Sequence, residues 1–145
     1  MSDLRSIIDA YDSTLIRAYA TVRFRIIDLR FIEEIGQYLP ENGRILDLGC
    51  GFGLFALAFG AGRPGRRILG VDLDGGRIEK ARAAAARLGA DNVAFALGDA
   101  RDATLEGIFD AVYLLDIVHH VPRAAVDALF ASIRRALPPD GILIV

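Results

Sequence analysis

The sequence predicts an α/β fold, a doubly wound, mostly parallel sheet preceded by N-terminal helices. Three observations lead there. Short β-favouring runs alternate with helical segments from residue 44 onward. Polar or glycine-rich clusters follow strand after strand: "DLGCGFG", "DLD", "GDA" and "DIVHH". Residues 3–39, in contrast, show helical apolar spacing. Strand–helix alternation implies parallel strands joined by crossovers. Right-handed crossovers wrap such a sheet on both faces. Ligands then bind at the carboxyl ends of the strands, where these four clusters converge.

In chain order, Leu4, Ile8, Tyr11, Leu15, Val22, Ile26 and Leu29 recur at helical spacing, which places them on one stripe. "DST" at 12–14 offers a fresh N-cap, so at least two helices with a break there are expected. Pro40 and "ENG" end the section. "RILDL" (44–48) reads as a strand buried on both faces. "GLFALAFGA" (53–61) is a short apolar helix, and "RPGRR" (63–67) is a turn. "RILGVD" (67–72) is the second strand. The alanine-rich 75–89 is a helix that Gly89 is placed to cap. "NVAFALGD" (92–99) and "FDAVYLLD" (109–116) are further strands. Residues 122–137 start with proline, which first helical turns tolerate, and stop at "PPDG". "GILIV" (141–145) is a fifth strand, and the sequence ends inside it. The division is therefore a helical cap over 1–40 and a sheet domain over 41–145.

At 145 residues the chain holds one core. It is 53% hydrophobic with mean hydropathy +0.36, which excludes disorder. The net charge of −2 gives no general electrostatic reason to bind nucleic acid or a membrane. Cys50 is the single cysteine, so neither an internal disulfide nor a cysteine metal cluster forms. That fits a reducing compartment. "MSDLRSIIDAYDS" lacks the layout of a secretory signal. The longest uncharged run, 48–62, is shorter than the ~18–20 residues a membrane span needs. A cytoplasmic protein is expected.

"ILDLGCGFG" (45–53) carries the chemistry: Gly49, Gly51 and Gly53 follow a strand and precede a helix. Bare backbone there lets a cofactor lie against the main chain at a helix N-terminus, or makes a tight turn with no ligand. The dinucleotide fingerprint G-x-G-x-x-G requires glycine where Leu54 stands. Asp72 lies 19 residues after Gly53, a distance that suits a carboxylate receiving both ribose hydroxyls. A turn aspartate is the other reading of "DLDGG", and Asp74 fits it better.

With Asp47 two residues before the first glycine, D-x-G-x-G-x-G resembles the first signature of the class I S-adenosylmethionine-dependent methyltransferases, and the resemblance runs from about residue 40 to the end. It implies S-adenosylmethionine as cofactor and S-adenosylhomocysteine as product. Asp47, Gly49, Cys50, Gly51 and Gly53 would lie by the methionine end, with Asp47 helping to hold its amino group. Asp72 would take the ribose and Leu73 the adenine face. "GDA" (98–100) matches the third signature, giving Asp99 and Ala100 to the adenine; a turn cap is the other role for Asp99, one that Asp102 fills equally well. Helices before the sheet commonly cover the cofactor in this family, so Tyr11, Tyr19 and Arg23 are candidates, Arg23 for the methionine carboxylate.

"LLDIVHHV" (114–121) occupies the position that contacts methionine, through Leu115, and often the acceptor. It lacks the N/D-P-P-Y-like signature of enzymes that methylate adenine or glutamine nitrogen. It resembles the branch acting on small molecules, and Asp116, His119 and His120 are the catalytic candidates. A histidine titrates near neutrality and can take a proton from an acceptor; packing at the strand–helix junction is the alternative. Two adjacent histidines and one aspartate are too few for a metal site. The family's sheet continues past a fifth strand, so the sequence predicts an incomplete chain, or a homodimer through the exposed edge or the N-terminal helices. The leading expectation is methyl transfer to a small organic acceptor on O, N or C. The alternatives are a non-catalytic cofactor-binding module and a nicotinamide-dependent oxidoreductase, which Leu54 disfavours.

Overall fold

The computed structural model describes residues 4–99, 107–115 and 121–145. Three helices, α1 (Leu4–Asp9), α2 (Thr14–Ile26) and α3 (Leu29–Tyr38), precede the sheet. Then follow β1 (Gly43–Leu48), α4 (Leu54–Gly60), β2 (Arg66–Asp72), α5 (Gly75–Leu88), β3 (Val93–Leu97), β4 (Ala111–Tyr113), α6 (Arg123–Ala136) and β5 (Ile142–Ile144). The strands form one sheet in the order β3-β2-β1-β4-β5, and every pairing is parallel. This is the doubly wound architecture the alternation predicts. Its strand order reverses between β1 and β4, which makes that end of the sheet the ligand crevice.

The sheet divides the core expected of one domain into two, one on each face. Alternate residues of each strand point to opposite faces. Ile45, Ile68, Phe95 and Tyr113 join α4, α5 and the N-terminal helices in one core. Leu46, Leu48, Val112 and Leu114 pack with Leu129, Ile133 and Ala136 of α6 in the other. The last four residues of β1 are buried, as a strand covered on both faces must be.

The break within "DST" is present: Ser13 caps α2, its hydroxyl accepting from the Ile16 N–H. A second break separates α2 from α3, where Asp28 caps Phe31 N–H at 3.0 Å. The single stripe expected along the N-terminus is not what forms. Leu15, Val22, Ile26 and Leu29 are exposed, Leu15 by 80% and Ile26 by 73%. Tyr11 is buried as expected and Leu4 and Ile8 pack against the core, but beyond the break Ile16, Ala20, Phe24 and Ile32 take the buried positions instead. The physical reason is the capped break at Ser13. Helical periodicity holds phase only within one helix, and α2 starts with its apolar face turned to Ile16, Ala20 and Phe24.

At the opposite end of the sheet from the crevice, Arg66 is fully buried at the start of β2. Its guanidinium donates to the carbonyls of Pro40, Phe59, Gly36 and Leu39 at 2.8–3.2 Å. These are chain ends that α3 and α4 leave without intrahelical partners. Burial pulls its pKa down and the neighbouring Arg63 adds to that, but guanidinium stays charged in a protein. Among the described residues no helix is long and apolar enough to cross a membrane.

Candidate functional site

Strand β1 ends in the glycine loop. Gly49, Gly51 and Gly53 all have left-handed φ, of 73°, 56° and 79°. Two of them serve different ends. A Cβ on Gly51 would meet nothing within 4 Å, so this residue presents bare backbone to open space. A Cβ on Gly53 would stand 2.5 Å from the Phe95 ring, so Gly53 lets α4 close against β3. The loop is held from the sheet side: Gly49 and Cys50 N–H donate to Val71 O at 2.8 and 3.0 Å.

Asp72, at the end of β2, bridges this loop to the next. Its Oδ2 accepts from Gly51 N–H at 2.8 Å and its Oδ1 from Asp74 N–H at 2.9 Å. Each oxygen keeps a further lone pair, so the carboxylate is fixed in place with acceptor capacity to spare. Asp74 is the helix cap, accepting from Arg77 N–H at 3.1 Å. Asp72 thus lines the cleft and also makes a turn bond to the second residue after it, while Asp74 is the cap of α5.

The crevice is a cleft of about 790 Å³, within the size range of small-ligand sites. Gly49, Cys50, Gly51, Asp72, Leu73, Asp99 and Leu115 line it. Tyr19 and Arg23 reach it from α2, so the helical cap supplies part of its wall. Arg23 lies over the Phe55 ring, 5.7 Å from its centre. Phe52 stands between Tyr19, edge-on at 5.6 Å, and the Arg77 guanidinium, 5.7 Å from the ring centre.

Asp47 is not on the cleft wall. It lies under the loop, 2% exposed, beside Tyr113 in the β1–β4 register. Neither its Oδ2 nor the Tyr113 hydroxyl makes a hydrogen bond of good geometry. Burial lifts its pKa to about 7, and the charge on Asp72 adds to this. The nearby Tyr113 hydroxyl and the Ala56 N–H pull the other way. Cys50 is buried and its thiol is pushed up in pKa by burial, so it is a neutral side chain at the cleft rather than a nucleophile.

Of the candidate residues singled out in the sequence, Gly49, Cys50, Gly51, Asp72, Leu73, Asp99 and Leu115 line the cleft, and so do Tyr19 and Arg23 of α2. Gly53 and Asp47 sit behind it. Ala100, Asp102, Asp116, His119 and His120 lie outside the described residues. Sequence reasoning missed Phe52 and Arg77. Phe52 sits inside the glycine motif at a position any residue can occupy, and only Arg77's place one turn after the Asp74 cap marked it. Among the described residues no cluster of histidine, cysteine or carboxylates is arranged for a metal.

A family model described as "Methyltransferase domain" matches residues 45–141. Curated proteins similar to the chain include the release factor glutamine methyltransferase of Rhodospirillum rubrum, 39% identical over 79% of this chain and 35% of that protein. The ubiquinone biosynthesis O-methyltransferase of Alkalilimnicola ehrlichii is 36% identical over 71% of this chain and 41% of its own length. The malonyl-[acyl-carrier protein] O-methyltransferase of Geobacter sulfurreducens is 35% identical over 86% and 45%. The chain thus spans less than half the length of these relatives. Among solved structures, the PH0226 protein of Pyrococcus horikoshii superposes with TM-score 0.72 at 29% identity, over 92% of this chain and 58% of that one. PKMT2 of Rickettsia typhi, solved in complex with AdoHcy, gives 0.67 at 28% identity, over 73% and 21%.

Proposed function

Because the chain belongs to the methyltransferase-domain family, we propose that it transfers a methyl group from S-adenosylmethionine to a small organic acceptor. One observation carries the reading: the bare backbone at Gly51, the Asp72 carboxylate and Asp99 line a single cleft at the carboxyl ends of the strands. These residues fit the cofactor. Gly51 leaves room for a ligand against the main chain, and Asp72 is already oriented by Gly51 and Asp74 N–H to accept from ribose hydroxyls. Asp99 is the candidate acceptor for the adenine amino group, and Leu73 for its face. Arg23, on the cap side, is the candidate for the methionine carboxylate. Asp47, behind the loop, would reach the amino group only through the loop or a water.

Held by these residues, the cofactor would supply a methyl already activated by a positive sulfur, with a neutral thioether as the leaving group. The chain's own residues then have modest tasks. They must align acceptor and methyl and keep water out. A base is needed only where the acceptor loses a proton, and Asp116, His119 and His120 are candidates from the sequence. The relatives are named for a glutamine, a ubiquinone precursor and a malonyl carrier, so their names do not choose the acceptor. The missing N/D-P-P-Y signature favours a small molecule over a peptide amide.

Titration calorimetry with S-adenosylhomocysteine and with NAD tests the reading. Binding of the first and not the second is expected; NAD binding alone would overturn it. Labelled-methyl transfer to a panel of phenols, amines and quinols then tests turnover.

A further inference from the structure

The helical cap reaches the glycine loop through one buried side chain that lines no part of the cleft. Tyr11, between α1 and α2, is 1% exposed, and its hydroxyl donates to the Phe52 carbonyl of the loop at 2.7 Å. The other loop bonds described above come from the sheet side, from Val71 O and the Asp72 carboxylate. Burial pushes the Tyr11 hydroxyl up in pKa, with Cys50 and Tyr19 adding, so it keeps its proton and remains a donor throughout the working pH range.

The elbow that carries Tyr11 is itself fastened. Arg17 Nε donates to the Tyr11 carbonyl at 2.6 Å. Arg87 of α5 donates to the Ala10 carbonyl at 2.7 Å. Asp12 pairs with Lys80 of α5 at 3.2 Å and with Arg87 at 3.6 Å. The ion pairs are exposed and add little, but the two arginine-to-carbonyl bonds fix the direction in which the ring of Tyr11 points. A loop with three left-handed glycines in five positions has many conformations open to it. Its fixed shape therefore depends on such external ties.

We propose that Tyr11 is a positioning residue for the cofactor: it holds Phe52 and with it the Gly49–Gly53 backbone in the shape that receives the ligand, and so couples the helical cap to cofactor affinity. The proposal rests on the methyltransferase reading for its ligand, but its structural core does not. Tyr11 touches the loop and not the cleft, so its effect passes through Phe52.

The test compares Tyr11→Phe with Ile7→Val, which trims a fully buried side chain of the same cap that, being apolar, donates no hydrogen bond to the loop. Affinity for S-adenosylhomocysteine should fall about tenfold in Tyr11→Phe, the scale of one buried hydrogen bond. It should stay within about twofold in Ile7→Val, although both lose stability. Amide hydrogen exchange at residues 49–53 of the ligand-free protein supplies a readout independent of binding. Those amides should lose protection in Tyr11→Phe beyond any change in global stability, and not in Ile7→Val. Equal losses of affinity in the two variants, or unchanged exchange at the loop, would overturn the proposal. Absence of S-adenosylhomocysteine binding by the unaltered protein would sink the functional reading instead, and the exchange measurement would still decide on Tyr11.

Discussion

Asp47→Asn separates the pH dependence of one buried carboxyl from that of the whole protein. Asp47 is 2% exposed, with Oδ2 unpartnered, and its pKa is lifted from the ordinary value of 3.8 to about 7. The unfolded chain releases this proton near pH 4. Between there and about pH 7 the native state binds a proton that the unfolded state has lost. Stability therefore falls as pH rises across that window and levels off above it. A gap of about three pH units at about 1.4 kcal/mol each gives roughly 4 kcal/mol lost by pH 8. Asparagine has nearly the same shape and does not titrate, so the variant escapes this loss. Urea denaturation of both proteins from pH 4.5 to 8 measures it. The stability difference, variant minus parent, should climb by roughly 4 kcal/mol across the range while the other carboxylates cancel. A flat difference would mean that Asp47 is ionised in the native protein at its ordinary pKa. The account of a buried carboxyl, incompletely hydrogen-bonded beneath the glycine loop, would then fail.

Replacing Asp72 with alanine removes two bonds that shape the loops and the proposed ribose acceptor; S-adenosylhomocysteine affinity should drop about 10- to 100-fold by calorimetry. Arg66→Met would remove the donor to four carbonyls, three of them in buried bonds, and should cost about 3–5 kcal/mol in a denaturant titration. Gly53→Ala combines a left-handed φ with a Cβ 2.5 Å from Phe95; a loss of about 1–3 kcal/mol is expected, whereas Gly51→Ala, with open space around it, should cost less stability and act on binding.

The sheet was legible because its signals are local. The run "RILDL" is apolar because both faces of β1 are covered, and Gly89 caps α5 with the left-handed φ of 61° that the residue type foretold. The carboxyl-end clusters pointed to one crevice, and Gly49, Gly51, Asp72 and Asp99 do line one cleft, since topology brings strand ends together. Less legible was anything set by phase or by contact between distant segments. After the cap at Ser13 the buried face of α2 runs through Ile16, Ala20 and Phe24, out of phase with a stripe carried on from α1. Asp47 belongs to the motif in sequence, yet its place in β1 aims it into the core beside Tyr113. In sequence Arg66 falls within the "RPGRR" turn; only the convergence of carbonyls from 26 to 30 residues away shows why it is inside.

Arg66 has a consequence for how this chain tolerates change. It stands at the first residue of β2, and Asp72 at the last, so the strand sets them roughly 20 Å apart. One pole of the molecule is thereby an anchor and the other a workshop. Substitutions around the anchor alter how much folded protein a cell keeps and leave its ligand preference alone. The loops of the workshop pole, where the proposed site lies, can change while the same guanidinium goes on fastening the far end.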